Sequence, residues 1–224
     1  MTQQRLVELS HVIHAGMTTY PGLPAPEITD HLSREASRAL YAPGTEFHIS
    51  RISMVGNTGT YLDAPFHRYP ETPDLAGLPL SRLVDLDGLV VRLPEGQRGA
   101  DRRLLAEHDV SGKAVLIHTG WDRHWGTAAY GSKDHPYLAT DAAAWLVERQ
   151  AAVVGIDSVN IDDIDDRRRP AHSVLLGAGI PIVEHLRGLD VLPPAGFRFS
   201  VAPPMVAGLG TFPVRAYAVL GPAA

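Results

Sequence analysis

A single α/β domain is the fold class this sequence predicts, from its apolar share, its recurring short strand-like runs and its dispersed turn residues. With 224 residues and 45% hydrophobic content, the chain has the material for one sizeable core. Strand-like runs recur along it while helical patterns are few. The 21 Gly and 18 Pro exceed average usage without clustering, which suits short strands joined by shaped loops rather than a helical bundle. No linker, repeat or low-complexity tract divides the chain, so residues 1–224 read as one domain.

Taken in order, the strand-like runs are residues 6–9, 47–54, 88–93, 114–118, 152–156, 180–183, 197–201 and 214–220. The clearest helical pattern is 141–150, where Ala142, Trp145, Leu146 and the stem of Arg149 share a face and Thr140 or Asp141 is placed to cap it. It leads into the apolar run 152–156, which delivers Asp157 and Ser158 at its carboxyl end, a position that often faces a cleft. Shorter helices are expected near 83–84, 103–108 and 171–176. Residues 20–45, with Pro21, Pro24, Pro26 and Pro43 around a polar middle, read as a long surface excursion that shapes a binding site or a contact between copies.

Composition excludes several classes of function. The chain carries 20 Lys+Arg against 25 Asp+Glu, a net charge of −5, and its basic residues are scattered apart from Arg167, Arg168 and Arg169, so nucleic acid is not an expected partner. With no Cys there are no disulfides, thiolate ligands or Cys nucleophiles, and any metal must sit on His, carboxylate or other oxygen donors. Residues 1–9 lack an apolar leader pattern and no run approaches the roughly 18 apolar residues of a membrane span, so a cytoplasmic location away from membranes is expected.

Two polar clusters stand out. In Gly56-Asn57-Thr58-Gly59-Thr60-Tyr61-Leu62-Asp63-Ala64-Pro65-Phe66-His67-Arg68, an amide, a phenol, a carboxylate and an imidazole lie close together on a path shaped by two glycines and a proline. A decorated turn would look the same. In the second, His172 precedes the apolar run Ile180-Pro181-Ile182-Val183, which Glu184 closes. A carboxylate ending a buried strand needs a cation, a metal or hydrogen-bond donors, unless it caps the next turn. His11, His48 and His118, near the ends of strand-like runs, read as hydrogen-bonded structural histidines. The acidic run Asp162, Asp163, Asp165 and Asp166 lacks EF-hand spacing and reads as a solvated loop neutralised by the three arginines after it. Ser158 has no Gly-x-Ser-x-Gly context, so a serine-hydrolase elbow is not supported.

The order of these motifs resembles the cyclase family that includes bacterial kynurenine formamidases and isatin hydrolase, whose hallmark reads His-x-Gly-Thr-His-x-Asp-Ala/Ser-Pro-x-His. Residues 57–67 follow it in register, keeping Gly59, Thr60, Asp63, Ala64, Pro65 and His67. The likeness continues through Leu9-Ser10-His11, Tyr20-Pro21-Gly22, His118-Thr119-Gly120-Trp121, Gly155-Ile156-Asp157-Ser158, His172 with Glu184 twelve residues on, and Pro213-Val214-Arg215. It implies a compact, barrel-like mixed sheet with flanking helices, associated as a homodimer or higher homo-oligomer and acting on a small molecule.

The resemblance also implies a site. Asp63, His172 and Glu184 match divalent-metal ligands and His67 matches the catalytic acid/base. Asn57 and Tyr61 stand where the family has two metal-binding His, which shifts the donor set toward oxygen, favouring Mn²⁺ or Mg²⁺ over the family's usual Zn²⁺. If no metal binds, Asp63, Glu184, His67 and His172 are expected to share protons, with Tyr61 as an oxyanion donor. Phe66, Trp121 and Asn57 are candidates to line the substrate pocket. The implied activity is hydrolysis of a linear amide of the N-formylkynurenine type, or of a related cyclic amide or lactone. Two readings stay open beside it: a metal-independent cyclase or dehydratase using His67 and Glu184, and a non-catalytic small-molecule binding protein.

Overall fold

The computed structural model describes residues 4–221. Its main sheet is curled and nine-stranded. In chain order the strands of the whole molecule are β1 (Arg5–Glu8), β2 (Glu27–Leu32), β3 (Ile49–Ser53), β4 (Tyr61–Asp63), β5 (Leu86–Arg92), β6 (Gly99–Ala100), β7 (Ala114–His118), β8 (Tyr137–Leu138), β9 (Val153–Ile156), β10 (Ile182–Glu184), β11 (Ala195–Ser200), β12 (Thr211–Pro213) and β13 (Tyr217–Leu220). The helices are α1 (Arg34–Ser37), α2 (Arg102–Leu105), α3 (Thr140–Glu148) and α4 (Pro170–Gly177). The large sheet runs β1-β13-β11-β5-β7-β9-β10-β4-β12, with β5, β7, β9 and β10 parallel and the other pairings antiparallel. Its edge strands, β1 and β12, do not pair with each other, so the sheet forms a half-barrel.

Alternation along the central strands sorts side chains between two cores. Val115 and Ile117 of β7 join Val154 and Ile156 of β9 beneath α2, α3 and α4, where Leu105, Trp145, Leu146 and Leu175 cover them. Leu116 points to the concave face and packs with Leu62, Val183, Phe197 and Phe199. Gly88 in β5 makes room for this layer: a Cβ there would lie 2.0 Å from the Phe197 ring.

Most expected elements are present with shifted ends. The helix expected at 141–150 is α3, but its N-cap is Ala139, and Asp141 inside the first turn accepts from its neighbour Ala142 N at 2.8 Å. The short helices expected near 103–108 and 171–176 are α2 and α4; the one near 83–84 is a 3₁₀ turn at Leu80–Arg82. The run 214–220 divides, its first half leaving the sheet before β13. Residues 20–45 are not wholly irregular: β2 lies within them and pairs with β3 in a separate two-stranded hairpin, exposed on both faces and carrying Ile28, Ile49 and Ile52 outward. No helix among the described residues is long and apolar enough to cross a membrane.

Candidate active site

Strands β4 and β10 build the site between them. They pair antiparallel with Asp63 opposite Ile182 and Tyr61 opposite Glu184, and β12 on the other side of β4 sets Thr211 opposite Asp63. Asp63, Tyr61 and Glu184 are thereby fixed by backbone register and fully buried. His67 follows on a 3₁₀ turn at Pro65–His67 that crosses Gly210 so closely that a Cβ on Gly210 would sit 2.5 Å from the His67 backbone. His172 enters from the first turn of α4.

The hydrogen bonds fix proton positions. Thr211 donates its hydroxyl to Asp63 Oδ1 and accepts from His67 Nδ1 at 2.8 Å, which leaves the lone pair of a neutral His67 on Nε2. Asp162 Oδ2 accepts from His172 Nδ1 at 2.6 Å and from its backbone N at 3.1 Å. This turns His172 Nε2 toward Asp63 Oδ2 and Glu184 Oε1, each 3.6 Å away. Glu184 Oε1 accepts from Ile161 N and Oε2 from the Tyr61 hydroxyl, both at 2.6 Å. Asp63 Oδ2 is buried without a hydrogen-bond partner among the described residues.

Electrostatics follows from the burial of these carboxylates. Burial would lower the pKa of His172, but Glu184, Asp162 and Asp63 outweigh it and push it up to about 10. Glu184 is pushed up to about 7, first by burial. Asp63 is raised by burial, yet His172, His67 and Thr211 hold it below the ordinary carboxylate range. Tyr61 is pushed well upward, by burial first and then by Glu184 and Asp63, so it stays a phenol.

Its single proton faces Glu184, so the contact of 3.3 Å between Tyr61 and His185 Nε2 has the imidazole as donor, and His185 Nδ1 accepts from the Tyr130 hydroxyl at 2.8 Å. Burial drives His185 down to about 3, consistent with this neutral form. His185 also has φ +58°, an unfavourable backbone conformation for a non-glycine residue that its buried partners hold in place.

The donor set suits a divalent cation that would displace the His172 Nε2 proton, because a buried carboxylate oxygen without a hydrogen-bond partner lies 3.6 Å from that turned imidazole nitrogen. Asp63, His67 and His172 can each offer an atom within 4.8 Å of the others, and Glu184 approaches through His172. Asn57, Tyr61, His67, His172 and Glu184 line one cavity of about 260 Å³. Phe66 and Trp121 are not brought to it: Trp121 lies on the turn after β7 and donates its indole N–H to Tyr130 O at 2.9 Å. A larger cleft of about 460 Å³, lined by Met17, Thr19, Trp125 and Tyr130 among others, contains no carboxylate.

Several residues differ from their expected roles. Asp162 is buried and orients His172, whereas only Asp166 of the acidic run pairs with a following arginine, Arg168. Lying ahead of α4, Asp162 accepts from the free amides of that helix's first turn, Ala171 N at 2.6 Å and His172 N at 3.1 Å. His185 and Thr211 are functional neighbours that motif reasoning misses, although His185 adjoins Glu184. Asp157 binds the Thr119 and Gly120 amides rather than opening on a cleft. Of the three structural histidines, His48 contacts Asp30 and His118 contacts Arg92, both at 2.7 Å, but the buried Nε2 of His11 has no partner among the described residues, and its ring stacks on Trp125 at 3.8 Å.

Comparison with known proteins agrees with this architecture. The cyclase family model matches residues 7–163. The chain belongs to the cyclase family. It is 25% identical to kynurenine formamidase of Paracidovorax citrulli over 96% of each chain. It superposes on isatin hydrolase A from Labrenzia aggregata with a TM-score of 0.84 at 22% identity, covering 97% of this chain and 94% of that one. A structure described as a "predicted metal-dependent hydrolase" from Bacillus stearothermophilus gives a TM-score of 0.77 at 26% identity, over 97% and 98%. The curled mixed sheet with its few helices is the architecture that cyclase-family structures share.

Proposed function

We propose that this chain is an amide hydrolase acting on a small N-formylated aryl amine or a related cyclic amide or lactone, with a divalent cation held by Asp63, His172 and Glu184 and with His67 as acid/base. One observation carries the reading. Two segments more than a hundred residues apart converge so that Asp63 Oδ2 is orphaned, His172 Nε2 faces both carboxylates and His67 Nε2 is bare toward the cavity. The likeness to a kynurenine formamidase and to a structure described as a metal-dependent hydrolase supports it. A cation at this position supplies Lewis acidity to a carbonyl and lowers the pKa of water.

The chain's own residues perform the proton transfers. His67 Nε2 takes a proton from the attacking water as its oxygen bonds to the amide carbon. It then returns that proton to the leaving nitrogen as the C–N bond breaks, giving an amine and a carboxylic acid. Thr211 keeps the His67 ring in the required tautomer. Tyr61, its proton spent on Glu184, is a positioning residue in this scheme. The oxygen-rich donor set favours Mn²⁺ or Mg²⁺, with Zn²⁺ the alternative that imidazole-rich relatives would prefer.

Formate release from an N-formyl aryl amine, lost on EDTA treatment and restored by Mn²⁺ or Zn²⁺, is the expected result. A folded protein that turns over no formamide, imide or lactone with either metal would overturn the reading. The close Tyr61–Glu184 contact favours a second one, a metal-independent cyclase or dehydratase in which these groups satisfy one another; turnover unaffected by EDTA yet lost in His67→Ala would identify it. A homodimer belongs to the main proposal, supported by the outward isoleucines of the β2–β3 hairpin, since a lone two-stranded ribbon has little stability of its own.

A further inference from the structure

The cleft of about 460 Å³ shares no lining residue with the cavity that holds the candidate catalytic groups. Among the described residues no carboxylate, ammonium or guanidinium lines it. Met17, Trp125, Ala128 and Tyr130 supply apolar and aromatic surface, and Thr18 and Thr19 supply hydroxyls. Trp125 is a fixed wall: His11 stacks on it at 3.8 Å with a tilt of 9°, while Tyr130 and His185 meet it edge-on at 4.9 and 5.7 Å. A ring clamped by three others keeps its place, so the cleft is formed before any ligand arrives.

Thr19 adds direction. It is buried, and its Oγ1 accepts from Gly59 N at 2.8 Å, which leaves its hydroxyl proton without a partner among the described residues. A buried donor left unmet costs free energy until an acceptor reaches it. An ionised guest would lose its water here without gaining a counter-charge. The guest that fits is therefore aromatic, uncharged and supplied with a carbonyl oxygen. Tyr130 joins this cleft to the candidate active site: it donates to His185 Nδ1 at 2.8 Å, His185 Nε2 donates to the Tyr61 oxygen at 3.3 Å, and Tyr61 donates to Glu184 Oε2 at 2.6 Å. All four residues are buried, and the three hydrogen bonds run in one direction.

We propose that this cleft is a second ligand site, taking an uncharged aromatic carbonyl compound, and that its occupation is transmitted through Tyr130, His185 and Tyr61 to Glu184. Neither part depends on the hydrolase reading, since both are measured as binding.

The test uses acetophenone, which offers a hydrolase no bond to cut. Calorimetry with the whole chain should show it binding, and benzoate binding more weakly by about tenfold or more. Thr18→Trp and Ala128→Trp place a ring in the cleft from exposed positions, and each should abolish binding while the fold is kept. Thr19→Ser should retain the affinity and Thr19→Ala lower it; equal affinity in the two would remove the carbonyl from the assignment. No binding of acetophenone, equal binding of benzoate, or binding unchanged in both tryptophan variants would overturn the site. Nitrogen NMR of histidine-labelled protein reads the connection. Acetophenone should shift the His185 Nδ1 resonance in the wild type, whereas Tyr130→Phe should bind it with that resonance unmoved. A resonance that stays in place in the wild type, or that shifts equally in Tyr130→Phe, would overturn the link.

Discussion

Strands β7 and β9 in the middle of the sheet are continuous apolar runs, buried between helices on one side and the concave core on the other, whereas β4 and β12 at its far end are three residues each and carry Tyr61, Asp63 and Thr211. Both regions are sheet, but they are held by different forces. In the middle, Leu116, Ile117, Val154 and Ile156 supply area removed from water. At the far end, polar groups are buried, and the local structure depends on each finding its partner. A change in the middle should therefore be read in stability, and one at the end in chemistry.

The sharpest test exchanges the two readouts. His67→Ala is expected to lower kcat by about 10²- to 10⁴-fold, the usual range for a lost general acid/base, while its exposed position keeps denaturation within ~0.5 kcal/mol of wild type. Leu116→Ala should do the reverse, costing ~2–5 kcal/mol by urea unfolding with kcat/KM of the folded fraction retained. A crossed result for either variant would break the comparison.

Asp162→Asn sharpens it further. The amide keeps the shape that caps α4 but weakens the grip on the His172 ring, so divalent affinity by calorimetry should fall about 10- to 100-fold. The smallest effect is expected from His11→Phe, which keeps the ring stack on Trp125. Burial first, then Arg187, lowers the His11 pKa to about 4. Between pH 6.5 and 4 the unfolded chain therefore takes up a proton that the folded one refuses, and stability falls on acidification. The variant should lose that slope, worth ~1–2 kcal/mol after allowing for partial exposure, in melting temperatures measured across the window.

The same contrast explains what the sequence made legible. Runs 114–118 and 152–156 announce themselves because only buried strands use unbroken β-branched and aliphatic residues. The buried polar residues of β4 and β12 erase the alternation by which strands are recognised, and β2, with its Glu-Ile-Thr-Asp-His-Leu sequence exposed on both faces, has no pattern to show. Motif order singled out Asp63, His67, His172 and Glu184, which the structure brings together. Asp162 stayed hidden because its neighbours are solvated acids, and Thr211 because nothing in its own segment shows that it lies beside Asp63.

The pairing of β12 with β4 joins chemistry to the order of synthesis. Thr211 reaches the ribosome's exit long after Asp63 and His67, so an emerging chain holds most of the reactive groups but lacks the hydroxyl that sets the imidazole's tautomer and the strand that locks the register. The completed cluster is thus a property of the finished molecule, absent from any copy that stops short of β12.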